Sequence, residues 1–286
     1  MKRKGSSMEN REKFWVWGYI LDTVPGKAPF VNGNTSCSLE TAVQYMGCEG
    51  AFWMDGLHSL DALCEERMER IKHIPNIIAG LTHVESNGPG LGGWKILYRE
   101  AAEKISELSL KYPQIKGAVI DDFRSMTGPS KDITPEEVHE INLALKSRNP
   151  ALKLFVVQYY SSQNPVTDLV PYEKDIDGIS IWDWVSTNYF WEALFPTEIF
   201  RLKNRFPDKE IIQGLFIHDF GGKGQALPMD QLKLQCECIS RKLESGRLDG
   251  WCALQSGYFC SYDHREQVEY LRNFWNWFYQ TRPVLK

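Results

Sequence analysis

Apolar and polar positions change period along this chain in a regular way. Eight short, nearly continuous apolar runs stand at 14–20, 51–55, 77–82, 117–122, 153–159, 178–183, 211–218 and 250–255. Runs of this length and continuity predict strands buried on both faces, as in a parallel sheet covered by helices. Between them the spacing turns helical, at 60–73, 94–111, 134–148, 190–205, 229–245 and 264–280. The segment from 134 opens Thr134-Pro135-Glu136-Glu137: a cap, a proline at the first helical position and a glutamate at the capping-box position. The first and fifth connections, at 38–47 and 168–175, have room only for short helices. Strand alternating with helix eight times predicts the α/β class and a single (β/α)8 TIM barrel over 14–286. A doubly wound open sheet is the alternative, but no nucleotide fingerprint accompanies the eight units. No Pro/Ser-rich linker divides the chain, and residues 1–13 read as a polar, disordered N-terminal tail.

Alternation within the runs sorts side chains by face. One parity holds Leu81, Ile120, Val157, Ile181, Ile217 and Leu254, with Ala79, Ala118, Phe155, Ile179, Leu215 and Cys252 two positions earlier. It is apolar throughout and is expected to face the helices. The other parity holds Gly80, Val119, Val156, Ser180, Phe216 and Ala253, then Thr82, Asp121, Gln158, Trp182, His218 and Gln255. On this reading the interior turns hydrophilic at the C-terminal mouth, where such barrels place their active sites. His83, Asp122, Tyr159, Asp183, Asp219 and Ser256 follow at the rim. A one-residue slip in any strand would exchange the two layers locally.

Three strand ends repeat one pattern, isoleucine, any residue, aspartate, aromatic: Ile120-Asp121-Asp122-Phe123, Ile181-Trp182-Asp183-Trp184 and Ile217-His218-Asp219-Phe220. Carboxylates at the ends of core strands are costly unless something uses them. With Asp55 after the second strand and Glu85 after the third, they predict an acidic mouth in which at least one carboxyl holds its proton. An acid and a base of separated pKa are what glycosidic bond cleavage needs. The competing reading makes individual aspartates loop caps or ion-pair partners, with Arg124 beside Asp122. Aromatics cluster at the same ends: Tyr19, Tyr159, Trp182 and Trp184 are candidate sugar platforms, while Trp17 and Trp53 fit ordinary packing. Gln158, Gln255, His83 and His218 are candidate partners for sugar hydroxyls, joined by Asp55 and Asp219. His73, His139 and His264 fall in helical stretches and are expected to be solvated.

Composition narrows the classes. A net charge of −4 argues against a nucleic-acid partner, and the one dense basic cluster, Lys2-Arg3-Lys4, lies in the tail. No run is long enough for a membrane helix, and no leader is visible at the start, so a cytoplasmic protein is expected. Seven cysteines in no zinc spacing predict reduced, mostly buried thiols. No metal-ligand spacing supports His83 or His218 as ligands, and no cofactor motif is present. The Gly221-Gly222-Lys223-Gly224 loop matches no P-loop.

The string Gly117-Ala118-Val119-Ile120-Asp121-Asp122-Phe123, with Ile181-Trp182-Asp183-Trp184, resembles barrel glycoside hydrolases of the α-galactosidase clan. The resemblance implies a nucleophile or base at Asp121 and a general acid at Asp183, with Asp122 a second candidate because the aspartate is doubled. The expected function is therefore metal-free hydrolysis of a glycosidic bond by paired carboxylates, with a carbohydrate substrate. The alternatives are a metal-dependent sugar isomerase or hydrolase, and a carbohydrate-binding barrel without turnover.

Overall fold

The computed structural model describes residues 13–21, 37–54, 60–83, 95–125, 130–160, 166–184 and 187–281. Eight parallel strands pair in chain order and close into a barrel, the last returning to the first. They are β1 (Phe14–Tyr19), β2 (Gly50–Met54), β3 (Asn76–Gly80), β4 (Ile115–Ile120), β5 (Lys153–Tyr159), β6 (Gly178–Trp182), β7 (Glu210–Phe216) and β8 (Gly250–Leu254). The described helices are α1 (Leu39–Met46), α2 (Glu65–Ile71), α3 (Tyr98–Lys111), α4 (Pro135–Lys146), α5 (Phe195–Arg205), α6 (Met229–Glu244) and α7 (Arg265–Thr281). A short 3₁₀ segment, Val166–Tyr172, stands in for a helix between β5 and β6. The (β/α)8 barrel expected from the alternation of periods is thus the observed fold. The expected tail at 1–13 lies outside the described residues, Lys13 apart. Among the described residues, no helix is long and apolar enough to cross a membrane.

Local chemistry explains where the elements begin and end. Thr134 accepts from the Glu137 amide while the Glu137 carboxylate accepts from the Thr134 amide, so the capping box forms as its sequence predicts. α1 ends at Gly47, whose φ of 66° is a left-handed conformation that glycine adopts without steric cost. All seven cysteines are free thiols, and Cys37, Cys48, Cys236 and Cys252 are buried.

Two layers of core follow from the alternation. The outer layer packs helices on strands, and includes Ile120, Val156, Ile181 and Leu215. The inner layer fills the barrel with Trp15, Trp17, Phe52, Met54, Ile78, Val119, Phe155, Val157, Trp182, Ile212, Phe216 and Cys252. This places β3, β4, β6 and β7 in the expected parity and corrects two strands. In β5 the inward residues are Phe155, Val157 and Tyr159; in β8 they are Cys252 and Leu254. Gln158 therefore does not line the interior. It is buried in the parity of Leu154 and Val156, on the helix side. Gln255, expected on the inward parity, follows the inward Leu254 and is likewise buried. The reason is physical. Both strands are apolar on both faces, so hydrophobicity alone cannot choose their register, and large rings settle it by filling space.

That space is made by glycines on adjacent strands. A Cβ at Gly50 would lie 2.4 Å from the Trp15 ring, one at Gly178 2.1 Å from Phe155, and one at Gly214 2.0 Å from Trp182. Each large ring thus occupies the volume that a neighbouring strand leaves empty, in keeping with close packing of the interior.

Candidate active site at the barrel mouth

The tip of β4 carries two consecutive carboxylates that both serve the mouth. Asp121 continues the inward parity of Val119. Asp122 would normally point the other way, but its φ of 47° breaks the alternation. Its Oδ1 accepts a 2.8 Å hydrogen bond from the hydroxyl of Tyr159, an inward residue of β5. Arg124 also has a positive φ, 54°, so the tip is a tight, strained turn. Ser130 holds it: its hydroxyl donates to the Asp122 carbonyl at 2.8 Å and accepts from the Arg124 amide at 3.1 Å. The Phe123 amide donates to the Val157 carbonyl, tying the tip to β5. Arg124 does not sit as a simple counter-ion. Its guanidinium lies over the Tyr172 ring and donates to the Asp168 carbonyl.

Burial pushes the Asp121 carboxyl up to about 8, with the adjacent Asp122 charge adding to the effect and the Asp122 amide, which donates to its Oδ1 at 2.8 Å, opposing it. The shift favours the protonated form of Asp121, which is itself only partly buried. Three phenols surround the pair. Tyr19, Tyr98 and Tyr159 are all pushed up, first by burial, with Asp121 and Asp122 contributing to each. The Tyr98 hydroxyl reaches toward Ser130 and Thr82. The result is a proton-holding carboxyl, a carboxylate steadied by a phenol, and a wall of un-ionised hydroxyls.

An aromatic surface adjoins this cluster. Trp184 is 46% exposed, with ring contacts to Tyr159 (6.0 Å), Phe216 (5.8 Å) and Phe220 (5.3 Å). Such a half-open indole beside a carboxylate–phenol pair offers a flat face to the C–H side of a sugar ring. Trp182, expected to share this role, does not. It is 2% exposed, donates to the Ser180 hydroxyl at 2.9 Å and packs on Trp17 and Phe216 within the barrel.

The other candidates have different surroundings. Asp183 continues the helix-facing parity of Ile179 and Ile181 and is buried at 7% exposure. Its charge is felt at Tyr160, whose hydroxyl donates to the buried Gln213 on that outer side. The shift at Asp121 comes from burial and from Asp122. Asp219 accepts from the Lys223 amide and shapes the glycine-rich turn, where a Cβ at Gly222 would lie 2.1 Å from its Oδ2. His83 is buried with Nε2 3.1 Å from the Gly80 carbonyl oxygen. Among the described residues, no group of three His, Cys, Asp or Glu side chains is placed to hold a metal ion. Asp55 and Glu85 lie outside the described residues.

Several residues of the site escaped the sequence reading. Tyr98 opens α3 and Ser130 lies in the loop that leads into α4, and polar residues between a strand end and the next helix could have drawn attention to them. His264, expected to be solvated, is buried at 4% exposure and paired with His218. Nothing in its helical spacing signals that partner, which lies 46 residues away.

No protein-family model matches the chain, and no curated protein matches it in sequence. Solved structures match it in fold. A family 18 chitinase from Crocus vernus aligns with a TM-score of 0.51 at 11% identity, over 92% of this chain and 99% of the other. A β-D-glucuronidase from Dictyoglomus thermophilum aligns with a TM-score of 0.57 at 10% identity, over 95% of this chain and 51% of that one. A xylanase and α-amylase inhibitor protein from Scadoxus multiflorus aligns with a TM-score of 0.50 at 12% identity, over 90% and 98%. At such identities the likeness is one of fold. This chain has the closed barrel that glycoside hydrolases use, and an inhibitor of such enzymes shares it.

Proposed function

We propose that the protein is a glycoside hydrolase acting through the carboxyl pair at the tip of β4. The observation that carries this reading is Asp121, held protonated by burial beside an Asp122 that accepts from Tyr159. A carboxyl that retains its proton at neutral pH suits a general acid rather than a nucleophile. Asp121 gives its proton to the leaving oxygen as the glycosidic C–O bond breaks. Asp122 places negative charge near the anomeric carbon, where positive charge develops. Water adds to that carbon and its proton passes to a carboxylate of the pair, restoring the site. Trp184 and Tyr159 bear the sugar face. This assignment departs from the roles that the resemblance implied: the acid is Asp121, and Asp122 takes the second place given to Asp183.

The test is a panel of nitrophenyl α- and β-glycosides assayed with wild type and Asp121→Asn. Release of nitrophenol by wild type alone supports the reading; equal turnover by the variant removes Asp121 from it. A second reading, a carbohydrate-binding barrel without turnover, is favoured by one observation. The two mouth carboxylates are sequence neighbours rather than residues from opposite sides of the barrel. It predicts saccharide-dependent quenching of Trp184 fluorescence with no release from any glycoside.

A further inference from the structure

The β7–β8 side of the mouth holds a chain of hydrogen bonds that the proton chemistry does not use. The His218 Nδ1 lies 2.9 Å from the His264 Nε2, and the His264 Nδ1 lies 3.1 Å from the Ser261 hydroxyl. His218 continues the inward parity of Phe216, stacks on Tyr258 at 4.6 Å with planes 5° apart, and is partly exposed. Among the described residues its Nε2 has no hydrogen-bond partner. Tyr258 also acts on Tyr19, so this chain borders the acid cluster.

Two imidazoles joined by one N–H···N bond share its proton, and protonating both rings would place like charges in contact. Burial lowers His218, against the opposing Asp219, and takes His264 down to about 4 through burial and His218, against Asp263. With both rings neutral, the orientation of the chain sets what the outer His218 nitrogen presents. With the Ser261 hydroxyl accepting, that nitrogen is an acceptor; with Ser261 donating, it is a donor. A sugar hydroxyl satisfies either, whereas a carboxylate or phosphate needs a cation or a fixed donor. Among the described residues, two basic side chains stand at the β4 and β7 tips. Arg124 is turned onto Tyr172, and Lys223 sits exposed on a turn whose amide already serves Asp219.

We propose that the mouth selects an uncharged sugar, and that His264 is a positioning residue for this choice: it holds His218 as a neutral hydrogen-bonding group toward a substrate hydroxyl. The proposal rests on the glycosidase reading and adds its substrate class. Two measurements test it. First, nitrophenyl hexosides are compared with the uronides of the same anomeric configuration. A kcat/KM at least 100-fold higher for the neutral member is expected; equal or better use of the uronide would overturn the proposal while leaving the glycosidase reading intact. Turnover or binding of neither would remove the reading on which it rests. Second, imidazole ¹⁵N shifts are followed from pH 5.5 to 8 in wild type, His264→Ala and His264→Gln. Wild type should show neutral His218 in one tautomer. His264→Ala should show mixed tautomers and an approximately tenfold rise in KM with kcat little changed. His264→Gln, whose amide can still meet Nδ1, should restore part of both. A His218 that is cationic in wild type at pH 7, or a His264→Ala that moves only thermal stability, would overturn the proposal.

Discussion

The tips of β4 and β7 are written alike, Ile-x-Asp-aromatic, and do opposite things. At β7 the carboxylate turns back onto its own loop, accepts the Lys223 amide and closes a glycine turn. At β4 the backbone takes the strain instead. Positive φ at Asp122 and Arg124 lets Ser130 and the Val157 carbonyl satisfy the main chain, leaving two carboxyls for the mouth. What decides the chemistry of a strand-end aspartate is who supplies its hydrogen bonds. Backbone amides of its own turn make it a cap. On the proposed function, a phenol from the next strand and a second, partly buried carboxyl at its side make it a reactive group.

Asp121→Asn is the strongest way to break this contrast. On the proposed mechanism it lowers kcat/KM about 10³-fold, within the span usual for loss of a general acid, whereas Asp219→Asn should stay within about threefold of wild type. Stability should move the other way. The folded-state value of about 8 stands above that of an unfolded aspartate, about 3.9. Folded protein thus keeps a proton that the unfolded chain releases, and wild-type stability falls as pH rises from about 4 to about 8. Asp121→Asn should flatten that slope and, above pH 8, stabilise the protein by on the order of 5 kcal/mol. Urea denaturation at several pH values reads it, and an unchanged slope would dismiss the buried proton. The alkaline limb of the wild-type pH–rate profile should likewise fall near pH 8.

Gly222→Ala sharpens the other half. Its methyl group must displace the Asp219 carboxylate, so a loss of about 2 kcal/mol in thermal unfolding is expected, with turnover kept close to wild type. A collapse of activity would mean that the β7 turn belongs to the site. Tyr159→Phe removes the bond to Asp122 and should cost about 1 kcal/mol, equivalent to roughly a fivefold to tenfold fall in kcat/KM. Steady-state kinetics at pH 6 and 8 would show it, and no change at either pH would separate Asp122 from the mechanism. The smallest effect is expected at Trp184→Ala. With half its ring open to solvent, it should raise KM by about threefold to tenfold, leaving the melting temperature nearly unchanged.

Much of the fold was legible because each level of the sequence agrees with the next. Period changes mark the eight strands to within two residues at either end, and Thr134-Pro135-Glu136-Glu137 forms its capping box. Within the mouth, legibility depended on strand composition. β4 and β6 each place a small or polar residue on one face, Gly117 and Ser180, and their parity could be read. β5 and β8 are apolar on both faces, so alternation set Gln158 and Ala253 inward where the structure has Tyr159 and Leu254. Asp122 was ranked behind Asp121 by parity, because alternation cannot anticipate a left-handed residue at a strand end. His264 was beyond reach for another reason. Its meaning depends on a contact made by barrel closure, and no local pattern encodes that.

The pairing of rings with glycines has a consequence for how the barrel chooses its shear. Backbone hydrogen bonds between parallel strands repeat at every second residue and would be satisfied again after a two-residue slide. The volumes would not. Sliding β6 past β7 sets the Trp182 indole against Ile212 or Phe216 rather than Gly214, and sliding β5 past β6 takes Phe155 off Gly178. Steric complementarity between neighbouring strands thus supplies the absolute alignment that the periodic ladder lacks, and with it the height at which the β4 tip meets Tyr159.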